Sequence, residues 1–113
     1  MLKNGLNFDH KDLANGRWAE LPFALQMGNI GSEVSRAVNS KARGNNDRMT
    51  NAAYRAIELF ELTIENNLNY PGRLVELCRG KEEFLDYIFG ENTFKTDAKK
   101  MVRYYDQFVS LAK

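Results

Sequence analysis

Seven charged residues of this 113-residue chain stand at helical spacing in three groups: Glu33 with Arg36, Arg55 with Glu58, and Arg73 with Glu76 and Arg79. Neighbours in each group are three residues apart, which on a helix puts them on one face and within reach of each other. On a surface such pairs contribute only tenths of a kcal/mol. At the margin of a core the same groups form a polar network that fixes helix register or recognises an anion. A second set is purely basic. Lys41, Arg43 and Arg48 flank a GNN break, and Lys95, Lys99 and Lys100 surround a second break at FGENTFKTDAKK. If the fold gathers these six, they form a phosphate or nucleic-acid surface. Cations that end a helix also complement its dipole, but Lys99 and Lys100 fall near a helix start, where that explanation fails.

The remaining reactive residues point away from catalysis. The single histidine, His10, lies in a weakly patterned arm and reads as a surface residue. Cys78 stands between Leu77 and Leu85 on an apolar stripe, so it is expected to be a buried structural thiol. A helical di-metal site needs a Glu-x-x-His pair, and the sequence has none; Glu58, Glu61 and Glu65 are helically spaced but read as solvated. The glycines match neither a phosphate-binding loop nor a dinucleotide turn. The expectation is therefore no catalytic residue, no metal and no cofactor.

These residues need elements to position them, and the bulk composition sets the scale. The chain has the length of one domain, with 43% hydrophobic and 27% charged residues, as in a globular protein. Sixteen basic against fifteen acidic residues leave a net charge of +1, so electrostatic binding requires a local patch. A lone cysteine forms no internal disulfide, no signal-like N-terminus is evident, and no apolar run approaches the roughly 20 residues of a membrane span. A cytoplasmic location is the expectation.

Apolar periodicity then predicts four helices. Pro22 opens the first, over about 22 to 43, with Phe23, Met27, Ile30, Val34, Val38 and Ala42 in one stripe. Gly44, Asn45 and Asn46 stop it, and Asp47 is the candidate cap of a second helix running to about 66, striped by Met49, Ala53, Ala56, Phe60 and Thr63. Pro71 opens a third, with Leu74, Leu77, Cys78, Leu85 and Ile88, ending near Phe89 and Gly90. Thr96 or Asp97 caps a fourth, with Met101, Tyr105, Phe108 and Ala112 on one side. Short connections imply an all-α, antiparallel up-and-down four-helix bundle over residues 21–113. Residues 1–20 form an N-terminal arm, with room for one helical turn from Asp9 to Asn15 and with Trp18 packing across the bundle end.

That topology places the first and third connections at one end, gathering Lys41, Arg43 and Arg48 near Lys95, Lys99 and Lys100, while Glu61 and Glu65 occupy the other. Phe84, Tyr87, Phe94, Tyr104 and Tyr105 exceed what one narrow stripe buries, which favours self-association.

The segments WAELPFALQMGNIGSEVSRAVNSKARGN, AAYRAIELFELTI, RLVELCRGKEEFLDYIFGEN and YYDQFVSLA resemble, in order and spacing, a family of short uncharacterised bacterial and archaeal helical proteins. The resemblance implies a fold and no activity. More distantly the chain is similar to the four-helix proteins encoded in ribosomal intervening sequences and to accessory proteins of diversity-generating retroelements, which implies oligomers and nucleic-acid partners. It also resembles HEPN domains, but no histidine follows Arg36, Arg55, Arg73 or Arg79, so that likeness implies a binding version without RNase chemistry. The leading expectation is a non-enzymatic interaction module that self-associates or binds another protein. Its alternative is a nucleic-acid or phosphate-binding accessory protein using the basic pole, and an enzyme with carboxylate or Arg and Tyr chemistry ranks last.

Overall fold

In the computed structural model, which describes residues 16–111, one turn of 3-10 helix at Trp18–Glu20 is followed by four α-helices. They are α1 (Phe23–Ala42), α2 (Asn46–Glu65), α3 (Pro71–Phe89) and α4 (Ala98–Leu111), and no strand occurs among the described residues. The result is an all-α four-helix bundle. The turn expected at residues 9–15, with His10, lies outside the described residues.

The helix limits follow local chemistry. Pro71 occupies the first turn of α3, where a missing N–H costs nothing. Gly44, at φ +73°, makes the left-handed step that ends α1. The cap of α2 is Asn45 rather than Asp47: its side-chain oxygen accepts from the Arg48 N–H at 3.1 Å. The sharp reversal at Gly44 leaves Asn45 in a non-helical conformation and starts α2 at Asn46, so Asp47 is already inside the first turn. Asp97 does cap α4, accepting from the N–H groups of Lys99 and Lys100 at 2.9 and 3.3 Å.

α1 is the central helix, packed along α2 on one side and α4 on the other, while α2 also packs on α3. It contributes Met27, Ile30, Val34, Ala37 and Val38 to the core. Ala52, Ala53 and Ala56 on α2 are buried, and their small size lets the α1 and α2 backbones approach. Phe60 and Phe84, both fully buried, meet at a centroid distance of 6.2 Å, and burial of each such ring contributes about 1.5–3 kcal/mol.

One side chain spans the interior. Tyr105 of α4 presses its Cβ against Gly31 of α1, where an added Cβ would overlap it, and packs its ring edge-on to Phe60 at 6.3 Å. Its hydroxyl ends at Gly80 of α3, 2.7 Å from where a Cβ would stand. Glycine is required at Gly31, where the Tyr105 Cβ leaves no room, and at Gly80 its lack of a side chain leaves space for the hydroxyl. The α3 and α4 backbones stand farther apart than the other neighbouring pairs and leave a cleft between them.

At the pole holding the start of α1, a polar network replaces apolar packing. Trp18 is buried and donates from Nε1 to Thr63 Oγ1 at 2.8 Å, and the Thr63 hydroxyl donates to the Leu59 carbonyl. Gln26 donates to the Trp18 carbonyl and accepts from Asn67 Nδ2, and the Asn67 side-chain oxygen Oδ1 accepts from Arg73 at 3.0 Å. The Arg73 guanidinium also lies over the rings of Phe23 and Tyr70, at 4.4 and 4.2 Å.

Cys78 departs from expectation: it is exposed. The buried stripe of α3 is Leu77, Phe84 and Ile88, and Cys78 lies about 100° round the helix from Leu77, beyond the edge of that stripe. Gly31→Ala should lower stability by about 1–3 kcal/mol through overpacking against Tyr105. Gly72→Ala, at a position with open space around it, should leave the urea midpoint unchanged or raise it.

Candidate functional site

Four arginines line one groove between α1 and α2. Arg36 comes from α1 and Arg43 caps its end, Arg48 and Arg55 come from α2, and Asn39, Ser40 and Asn51 fill the spaces between them around a volume of about 410 Å³. The spacing explains the convergence. Arg36 and Arg43 are seven residues apart, as are Arg48 and Arg55, so each pair spans two helical turns, about 10.5 Å. Because the helices run antiparallel through a three-residue connection, Arg43 stands level with Arg48 and Arg36 with Arg55. The groove is a ladder with two cationic rungs.

The inner rung is anchored from behind. Glu33, 2% exposed, accepts on Oε2 from Arg36 Nη1 at 3.0 Å and pairs with Arg55 Nε at 3.3 Å, while both guanidiniums remain about half exposed. Its other oxygen, Oε1, is buried without a hydrogen-bond partner. A buried carboxylate costs several kcal/mol in desolvation, which good geometry on all its oxygens is needed to repay. Here one oxygen carries both arginines and the other none, so Glu33 positions the rung at some cost to stability. No acid lines the groove itself.

The structure therefore regroups the residues that the sequence singled out. Arg36 and Arg55 were assigned to a polar network and Arg43 and Arg48 to a basic pole, yet all four share this groove. The six polar-end cations do not form one site. Lys41 lies over the Tyr87 ring at 5.7 Å, Lys95 and Lys100 line the separate cleft between α3 and α4, and Lys99 is exposed on the first turn of α4. The two connections do share one pole, but they open onto different recesses.

The polar network is likewise divided among three places. Glu33, Arg36 and Arg55 form the inner rung, and Arg73 belongs to the Trp18 pole. Glu76 and Arg79 line the α3/α4 cleft, where Tyr104 donates to Glu76 at 2.7 Å. Glu58 is partly buried on α2 and does not line the groove. Glu61, expected as a free acidic end, pairs with Lys81 at 3.2 Å.

The connection that shapes the cleft is itself built on acceptors. Asp86 takes the N–H groups of Thr93 and Phe94, and the Phe94 bond foremost holds its carboxyl below the usual value of 3.8. Asn92, at φ +54°, accepts from Thr96 N–H at 2.8 Å. In the cleft, burial first and the Glu76 carboxylate second raise the Tyr104 hydroxyl well above its ordinary range, so it stays protonated as a donor. No group of three or more metal-ligating side chains occurs among the described residues, and none of their helices is long and apolar enough to cross a membrane.

Because Glu33 is under-satisfied, Glu33→Met should maintain or raise the unfolding free energy measured by urea titration, by up to about 1 kcal/mol, instead of the loss that follows removal of a well-paired buried ion. Glu33→Ala, which leaves a cavity, should lower it by about 2 kcal/mol or more. No family model, curated protein or solved structure matches the chain.

Proposed function

We propose that this protein is a non-enzymatic binding module that holds the phosphates of a nucleic acid in the arginine ladder between α1 and α2. The observation that carries the reading is the convergence of Arg36, Arg43, Arg48 and Arg55 on one groove with no acid in its lining. Arginine presents a planar fork suited to phosphate oxygens and stays charged at any physiological pH. Two rungs about 10.5 Å apart suit an extended series of phosphates better than one compact anion. The groove contains no aromatic side chain on which a base could stack, so the contact is to the backbone and indifferent to sequence. Its remaining lining of amides, a hydroxyl and an alanine binds and orients without supplying a nucleophile or base.

Four phosphate contacts on a single strand predict a slope of log K against log salt of about −2.8. Arg36→Ala and Arg55→Ala should each weaken binding and flatten the slope by about 0.7, across oligonucleotides of unrelated sequence. Failure of RNA and DNA alike to bind at low salt ends this reading, as does a slope untouched by the substitutions.

A second reading, self-association, is favoured by the outer side of α3. Val75 and Phe94 are exposed at 56% and 61% around a recess of about 670 Å³ that also includes Cys78. Light scattering at micromolar concentration should then give a dimer or larger mass, falling to a monomer in Val75→Glu/Phe94→Glu. A monomer in the unsubstituted protein sets self-association aside.

A further inference from the structure

The geometry points to a second binding site, in the cleft between α3 and α4, for a small phosphate monoester that carries hydroxyl groups. The cleft encloses about 410 Å³, within the range of small-molecule sites. It is distinct in lining and charge from the arginine ladder and does not rest on the nucleic-acid reading.

The floor is the strongest feature. Tyr105 is 2% exposed and lines the cleft, yet its hydroxyl makes no hydrogen bond to any described residue. The hydroxyl oxygen is not among the solvent-sealed polar atoms that lack a partner, so it is reachable from the cleft. It ends at Gly80, where a Cβ would lie only 2.7 Å away, so the missing side chain is what leaves the hydroxyl open to the cleft. Burial, then the neighbouring Tyr104, Glu83 and Glu76, raise it well above the ordinary tyrosine range and keep it a donor.

The walls define what such a ligand offers in return. Glu76 and Glu83 are seven residues apart on α3, about 10.5 Å, and each already accepts one hydroxyl from across the cleft: Tyr104 at 2.7 Å and Thr96 at 3.1 Å. Both carboxylates therefore act here as hydroxyl acceptors, and each keeps unused lone pairs. The Tyr105 hydroxyl, which both donates and accepts, adds a third point for a polyol. Arg79, Lys95 and Lys100, all exposed, make no ion pair among the described residues, and Asp97, which also lines the cleft, accepts from the N–H groups of Lys99 and Lys100 on one oxygen. Two hydroxyl-accepting carboxylates, Glu83 half-buried and Glu76 exposed, beside exposed cations that make no ion pair among the described residues match a molecule that carries both hydroxyls and a phosphate. Sugar phosphates and nucleotides share this chemistry.

The test is titration calorimetry with D-glucose 6-phosphate and with adenosine 5′-monophosphate, each beside its unphosphorylated half and inorganic phosphate. At least one ester should bind saturably and at least tenfold tighter than either of its parts. Tyr105→Phe removes one oxygen and keeps the ring, and should weaken that binding about tenfold, the worth of one hydrogen bond. Lys100→Ala, at an exposed position that cannot disturb the core, should weaken it similarly, and the paired Arg36→Glu/Arg55→Glu should leave it unchanged. Preference for one ester identifies the sugar phosphate or the nucleotide as the source. Absence of saturable binding by either ester up to about 10 mM overturns the inference. So does inorganic phosphate binding as tightly as the ester, or binding that survives Tyr105→Phe and is lost with Arg36 and Arg55.

Discussion

The placement of Tyr105 between two glycines is the constraint on which the rest of the arrangement depends. Gly31 allows the α4 backbone to lie against α1, because any side chain there would occupy the space of Tyr105 Cβ. The ring then fills the interior beside Phe60, and its hydroxyl reaches α3 at Gly80. A tyrosine of fixed length so sets the separation of α4 from α3, while α1 and α2 close up over alanines. Tight packing on one side and a strut on the other give the bundle two recesses of similar volume and unlike lining: an arginine groove between α1 and α2, and a cleft of mixed charge between α3 and α4.

Polar burial is handled differently at the two ends. Around Trp18, Gln26, Thr63, Asn67 and Arg73 each side chain donates to an acceptor in the network or its backbone, and the result is a clasp that ties the segment before α1 to the turn after α2. Such satisfied networks rigidify and specify a fold. Around Glu33 the accounting is incomplete, since Oε1 has no partner and two arginines share Oε2. An apolar residue at that position would serve the core better. Local violations of good packing chemistry concentrate where a surface is used, and here the violation lies directly behind the inner rung of the ladder.

Much of the bundle was legible in the sequence, because a helix stripe is a property of one segment. The prolines, the GNN break and the runs through Ile30 and Val34 or Ala53 and Phe60 gave the helices to within a residue or two. The failures share a different cause. Whether Cys78 or Gly80 faces a neighbour depends on how α3 is rotated against the bundle, and a stripe wide enough to include Leu74, Leu77 and Cys78 leaves that rotation open. Glu33 looked like one half of an exposed i, i+3 pair, and only the approach of α2 buries it and adds Arg55. The ladder was partly visible, since Arg36 to Arg43 and Arg48 to Arg55 repeat the same seven-residue interval about Gly44. Sorting those residues by helix end, instead of pairing them across the turn, hid the groove.

The same geometry explains why a net charge of +1 carries so little information about binding. At physiological ionic strength the screening length is about 8 Å, close to the roughly 10.5 Å between rungs and smaller than the interval across a molecule with extents of 35 × 33 × 24 Å. Guanidiniums within a rung therefore act together on a ligand, and adjacent rungs still sense the same strand. Acids such as Glu61, paired with Lys81 on another seam, are too distant and too well compensated to cancel that local potential. Glu33 lies behind the inner rung and Asp47 shares a recess with Arg43 beside the outer one, so two acids face four arginines. What decides whether this chain attracts phosphate is thus how its charges are partitioned among helix seams, and that partition is fixed by the antiparallel register of α1 and α2.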